Sequence, residues 1–143
     1  MKFLKYIVPA IIFTVALFCG ISCNKASHNG KLDGQWQVMS VEDIATGDVA
    51  TPQEPGYFCI YLHIFQLSII SPEGSSRISA NMTYDKNGST LYCDFPYVAD
   101  KDVESLLGPY GIQSNPVTFD ITKLDGKSLV LRSDKTLITC RRF

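Results

Sequence analysis

Apolar and polar residues alternate at every second position through most of the chain beyond residue 32, and turn-forming residues cut that alternation into short segments. Residues 34–41 (GQWQVMSV) set Trp36, Val38 and Ser40 against Gln35, Gln37 and Met39, the period of a half-buried strand. After a polar loop with Gly47, Pro52, Pro55 and Gly56, residues 57–70 are dense in aromatic and β-branched side chains. They read as one long bent strand or two, with a bulge near residues 63–65. Residues 77–84 and 89–95 flank Asn87-Gly88, the strongest short hairpin signal in the chain. Residues 117–124 and 127–132 flank Asp125-Gly126 in the same way, and a last strand covers 136–142.

One segment departs from the two-residue period. Val103, Leu106 and Leu107 recur at helical spacing, Asp100 stands where a capping side chain belongs, and Gly108-Pro109 ends the run. A helix of about two turns does not hold its shape alone, so its apolar face must rest on the sheet or plug an open end. The expected fold is all-β, with seven or eight antiparallel strands at hairpin spacing and one short helix. An up-and-down barrel, closed or half-open, suits this pattern because closure removes exposed strand edges.

The start of the chain follows another rule. Lys2 and Lys5 precede an almost wholly apolar run over residues 6–18, and the small residues Gly20 and Ser22 then lead to Cys23. Charged, apolar and small regions in that order are the layout of a secretory signal. Gly20-Ile21-Ser22-Cys23 resembles a lipobox, with Gly20 where leucine is usual. The resemblance implies that the Cys23 thiol receives a diacylglyceryl group before cleavage. The alternative is an uncleaved membrane helix, since residues 6–22 reach the lower limit of about 17 residues for a bilayer span. Three acyl chains bury far more hydrocarbon than a single myristoyl chain, so such an anchor is stable. Residues 24–30 are polar and aperiodic, as a flexible tether is. The expected organisation is a signal peptide at 1–22, a lipidated tether at 23–31 and a β domain at 32–143. The expected location is the cell envelope, on a membrane. No acidic run of the kind that marks surface-exposed lipoproteins follows Cys23, which favours the periplasmic side.

Charge narrows the partners. The whole chain carries 13 basic and 14 acidic side chains, and loss of Lys2 and Lys5 leaves a mature net charge of about −3. No basic stripe runs along the sequence to track phosphates, so nucleic acid is excluded as a partner.

Gly34-Gln35-Trp36 at the head of the first strand resembles the G-x-W signature of lipocalins. In that superfamily the tryptophan packs across the closed end of the barrel beneath an arginine of the last strand, and Arg141 or Arg142 stands at the matching place here. The resemblance implies that Gly34, Trp36 and one of these arginines close the barrel. With the leader and tether, the whole chain resembles small lipocalin-like lipoproteins of Gram-negative, Bacteroidetes-type bacteria. The domain is shorter than a typical lipocalin.

Catalytic chemistry lacks its parts. His28 lies in the tether and His63 in an apolar strand, and no C-x-x-C, H-E-x-x-H or G-x-S-x-G motif occurs. Asp100, Asp102 and Glu104 fit a helix start better than a calcium site. No cofactor, metal or enzymatic activity is expected. Cys59, Cys93 and Cys140 are either three small buried hydrophobes or one disulfide and a free thiol. Aromatics carry the ligand reading: Tyr61, Phe95, Tyr97 and Tyr110 are placed to rim a pocket that takes a small apolar or amphipathic molecule. The competing expectation is a solid barrel. Its second apolar face, on the strand that holds Tyr57 and Tyr61, would be covered by a homodimer partner or another envelope protein.

Overall fold

The computed structural model describes residues 27–143; the signal segment and Cys23 lie outside the described residues. Among the described residues there are nine strands: β1 (Gly34–Asp43), β2 (Val49–Ala50), β3 (Gly56–Tyr61), β4 (Ile64–Ser71), β5 (Gly74–Asp85), β6 (Thr90–Asp94), β7 (Val117–Leu124), β8 (Ser128–Arg132) and β9 (Thr136–Arg142). All pairings are antiparallel. From β3 onward each strand pairs with the next in sequence, β1 pairs with β3, and β9 returns to β1 to close an eight-stranded barrel. The short β2 is the extra strand. It joins the far half of β1 through Val41↔Ala50 and Glu42↔Val49, continuing the edge that β3 occupies at Gly34 to Gln37.

The alternation fills the barrel. Trp36 and Val38 of β1, Phe58 and Ile60 of β3, Phe65 and Leu67 of β4, and Leu129 and Leu131 of β8 point into one continuous core. Two bulges preserve that filling where strict alternation fails. The β1–β9 register slips between Val38 and Ser40, so Ser40 pairs with outward Thr139, and Val41 pairs with inward Ile138. The expected inward place of Ser40 is thus taken by Val41. A second slip between Ile121 and Lys123 of β7 brings Leu124 back to the core side. Bulges of this kind bend a strand and raise its twist, as a small closed barrel requires.

The apolar stretch over residues 57–70 is two strands, not one. Tyr61 pairs with Ile64, leaving Leu62 and His63 as a two-residue turn with Leu62 at φ 53°. Tyr57, on the outer face, is buried by the ring of Phe143, 4.9 Å away edge to face. The Asn87-Gly88 signal does mark a reversal. The strands pair only to Asp85 and Thr90, however, and Ser89 takes the positive φ of 51°. Asp85 accepts a bond from the Asn87 amide and sets up a four-residue loop in place of the tight turn.

Two ends follow from this order. The closed end holds the start of β1, the end of β9 and the β3–β4, β5–β6 and β7–β8 turns. The mouth lies opposite and is crossed by the excursion over residues 95–116. Its helical part is shorter than the sequence suggests: a 3₁₀ turn at Asp100–Asp102, one α turn α1 at Val103–Leu106, and a 3₁₀ turn at Gly108–Tyr110. Asp100 makes no capping bond, and Ala99 holds the cap position. Val103 and Leu107 face the core, whereas Leu106 is exposed. With so short a helix, the buried face is set by where the excursion meets the barrel and not by helical period.

Candidate functional site

The closed end is built from side chains that fill one another's space. Trp36 is fully buried, and its Nε1 donates to the Leu32 carbonyl at 2.9 Å. The Arg142 guanidinium lies 4.3 Å from the Trp36 ring centroid and donates to the carbonyls of Asp33 (3.1 Å) and Lys31 (2.6 Å). Gly34 makes this possible. Its φ of +139° is one that side chains disfavour, and a Cβ there would collide with the Arg142 Nη1. Arg141 points the other way, gripping Gln37 Oε1 on the outer wall from Nε (2.9 Å) and Nη2 (2.8 Å). Strand parity decides between the two arginines, because Arg142 shares the inward row of Ile138 and Cys140.

The chain folds against this end before residue 32. Asn29, read from sequence as tether, is buried. Its Nδ2 donates to Asp33 Oδ1 (2.6 Å) and the Leu62 carbonyl (2.9 Å), and its backbone N–H donates to Asp33 Oδ2 (3.0 Å). This latch brings His28 edge to face with His63, centroids 4.9 Å apart. No sequence signal marks Asn29, since a polar residue in a polar stretch fits a linker equally well.

The mouth is sealed by the excursion. Phe95, Leu107, Tyr110 and Ile112 are buried in the same core as the barrel wall. Asn115 ties the two ends of the excursion together: its Oδ1 accepts from the Phe95 N–H, and its Nδ2 donates to the carbonyls of Phe95 and Val98. The Thr136 hydroxyl donates to the Gly111 carbonyl at 2.5 Å, and the Tyr110 hydroxyl to the Glu54 carbonyl at 3.1 Å. Gly56 lies so close to the Tyr110 ring that any Cβ would strike it. Burial, with the Glu54 carboxylate behind it, raises the Tyr110 phenol above its ordinary value. A deep ligand cup is therefore replaced by side chains.

What remains open is a ring of grooves around Pro109. One of about 470 Å³ is lined by Glu104, Gly108, Gln113 and Lys135. A second, of about 360 Å³, runs toward Asp43, Thr46 and Asp48. The most apolar, about 410 Å³, lies between residues 50–54 and Ile69, Leu106, Pro109 and Tyr110. Its size falls in the range of small-molecule sites.

The four aromatics expected to rim a pocket are not brought together. Tyr110 lines the apolar groove, Phe95 is buried within the core against Phe65, and Tyr97 is 93% exposed. Tyr61 stands beside the β3–β4 turn at the opposite end. Asp100, Asp102 and Glu104 form no metal cage; among the described residues no three metal-ligating side chains converge. No buried side-chain polar atom among them lacks a partner. The three cysteines are free. Cys93 and Cys140 point inward, and burial lifts both thiols, Cys140 to about 12. Cys59 faces outward, half-buried, with its thiol raised by burial and partly offset by Arg77.

Comparison with known proteins places this architecture. A crystal structure of a lipocalin-like protein from Bacteroides uniformis ATCC 8492 has a TM-score of 0.66 at 20% identity, covering 80% of this chain and 100% of that one. An uncharacterized protein from Bacteroides eggerthii DSM 20697 gives 0.60 at 13% identity, covering 78% and 98%. At such identities the likeness speaks for the fold alone. A search of curated proteins finds no match. The family model described as a lipocalin-like domain matches residues 16–143. With that match running to the last residue, over a closed barrel clamped by Gly34, Trp36 and Arg142, the chain belongs to the lipocalin-like domain family.

Proposed function

We propose that this chain is a lipoprotein, acylated at Cys23 and held in the cell envelope, whose barrel binds a small apolar or amphipathic molecule at its mouth. The observation that carries the binding reading is the apolar groove of about 410 Å³ between residues 50–54 and Leu106, Pro109 and Tyr110. Its apolar walls take a hydrocarbon or ring. The Glu54 and Ser105 side chains at its border offer polar partners for a head group. Membership of the lipocalin-like domain family supports binding as the role. The anchor rests on the charged, apolar and small sequence of the leader and its cysteine.

Two measurements test this reading. Titration of the protein with anilinonaphthalene sulfonate should give one saturable site that Leu106→Arg weakens at least tenfold, the charge being forced into an apolar wall. Non-saturable binding, or binding indifferent to Leu106→Arg, refutes the groove. Labelling cells with radioactive palmitate should mark the protein, and Cys23→Ala should abolish both label and signal removal; label that persists in the variant refutes the anchor.

The filled interior favours a second reading, in which the barrel is solid and docks another envelope protein or a second copy through exposed outer residues such as Ile70 and Tyr92. A stable dimer with no groove binding would select it.

A further inference from the structure

The charges of the barrel are sorted by end. Six cationic side chains surround the closed end: Lys31, Lys86, Lys123, Lys127, Arg141 and Arg142. Four acidic side chains offset them: Asp120, opposite Thr90 beside the β5–β6 turn, and three that are engaged. Asp33 holds Asn29, Asp85 caps its own loop, and Asp125 accepts from the Lys127 and Ser128 amides and pairs with Lys123 at 3.9 Å. At the mouth the sign reverses. The β1–β2 corner carries Glu42, Asp43 and Asp48, and the following loop Glu54. The excursion adds Asp100, Asp102 and Glu104 against Lys101, and Lys135 is the cation beside Gln113.

A second feature sits at the cationic end. Leu62, at the tip of the β3–β4 turn, is 54% exposed and held at φ 53°, a left-handed conformation that a bulky side chain adopts only under strain. Glycine or asparagine makes such a turn without that cost. The Asn29 bond to the Leu62 carbonyl keeps the strained turn in place, and Tyr61 stands exposed beside it. An apolar tip with an aromatic neighbour, on an end that also carries Lys31, Lys86, Lys123 and Lys127, has the composition that partitions into a lipid headgroup region. Ser27, the first described residue, lies at this same end, bonded to Gly30.

We infer that the closed end is a docking face for an anionic phospholipid surface, with Leu62 and Tyr61 at the headgroup level and the acidic mouth turned away from the bilayer. This orientation rests on the anchoring proposed above and adds to it: the acyl chains keep the protein at the membrane, and the cationic end fixes which way the groove faces. Each lysine near an anionic surface contributes a factor of about five to the docked state.

Hydrogen exchange on the full acylated chain in vesicles tests the inference. On vesicles with 30% phosphatidylglycerol, amides of the β3–β4 and β5–β6 turns should exchange several-fold more slowly than on pure phosphatidylcholine. Protection should vanish in 0.5 M NaCl and in the triple variant Lys31→Gln, Lys86→Gln, Lys127→Gln. It should survive in the mouth control Lys101→Gln, Lys135→Gln, and Leu62→Asn should reduce it. Floating protein whose turns exchange alike on both vesicles overturns the docking face and leaves the anchor standing. Equal protection of the same turns by soluble polyglutamate, with no dependence on lipid charge, overturns it in favour of an acidic protein partner. Protein without acyl groups that still floats with phosphatidylglycerol through these turns supports the docking face and removes the anchor. Protein that floats with neither vesicle removes both.

Discussion

The Arg142 guanidinium stands where a side chain on Gly34 would begin, so the first residue of β1 and the last of β9 share one volume at the closed end. The G-x-W pattern thus has a physical reason at each fixed place. Glycine leaves room for the arginine and takes φ +139°, and tryptophan supplies the face on which the arginine rests. Gly34→Ala adds backbone strain of about 1–3 kcal/mol and displaces the guanidinium from its two carbonyl acceptors. A loss of about 2–4 kcal/mol is expected in urea unfolding. A change below about 0.5 kcal/mol, the scale of an ordinary surface substitution, would show that glycine is incidental here.

Trp36 and Arg142 should be coupled beyond their separate contributions. Trp36→Ala removes a fully buried indole and should cost about 3–5 kcal/mol. Arg142→Ala should cost less, because the side chain keeps one side in water. A double-mutant cycle should return a coupling of about 0.5–1 kcal/mol, the scale of an exposed cation over an aromatic face. Arg142→Lys should recover little of it, since an ammonium lacks the planar fork that reaches both carbonyls. Strict additivity in the cycle would mean that the two residues only happen to be neighbours.

Asn29 should matter more than its place in a polar stretch suggests. Asn29→Ala takes a donor from both Asp33 and the Leu62 carbonyl, and a loss of about 1–3 kcal/mol follows from leaving such groups without partners. Hydrogen exchange should report the effect first in the Leu62-His63 turn. Unchanged stability together with an unchanged turn would mean that water replaces the latch at no cost.

The barrel was legible in the sequence because period and punctuation agreed along almost its whole length. The strands at 117–124 and 136–142 were located to the residue, and β8 to within one. The misses have local causes. At 57–70 two apolar faces leave one strand or two open and misplace the irregularity by a residue or two, because the turn uses Leu62 and His63, which are not turn-forming residues. Alternation alone sets Ser40 inward, because a bulge at Met39 leaves no mark in an alternating string. β2 was invisible because two residues in a polar loop form a strand only when β1 offers them an edge. The site was less legible still. Parity places Trp36, and it selects Arg142 over Arg141 once the inward row of Ile138 and Cys140 is known. Only their chemistry groups the four aromatics, and the fold sends Tyr61 to one end, Tyr110 to the other and Phe95 to the core.

The cysteines allow the fold to be read in solution. Cys59 lies on the outer wall, whereas Cys93 and Cys140 project into the barrel. Burial disfavours the thiolate at both inner sites, taking Cys140 from an ordinary 9.0 to about 12 and Cys93 further in the same direction. Alkylation by iodoacetamide at pH 8, mapped by peptide mass spectrometry, should mark Cys59 and spare Cys93 and Cys140 until denaturant is added. The same shifts set a pH dependence. A thiol whose folded value exceeds its unfolded one contributes in full below the unfolded value and loses that contribution as pH climbs toward the folded one. Urea midpoints should therefore show no thiol-linked change between pH 7 and about 8, then fall as pH passes 9 and approaches 12, with the Tyr110 phenol, also raised, adding a fall of the same sign. Cys140→Ala and Tyr110→Phe should each flatten the alkaline limb. A midpoint with no thiol- or phenol-linked fall in this window would place these groups in water and not in the core.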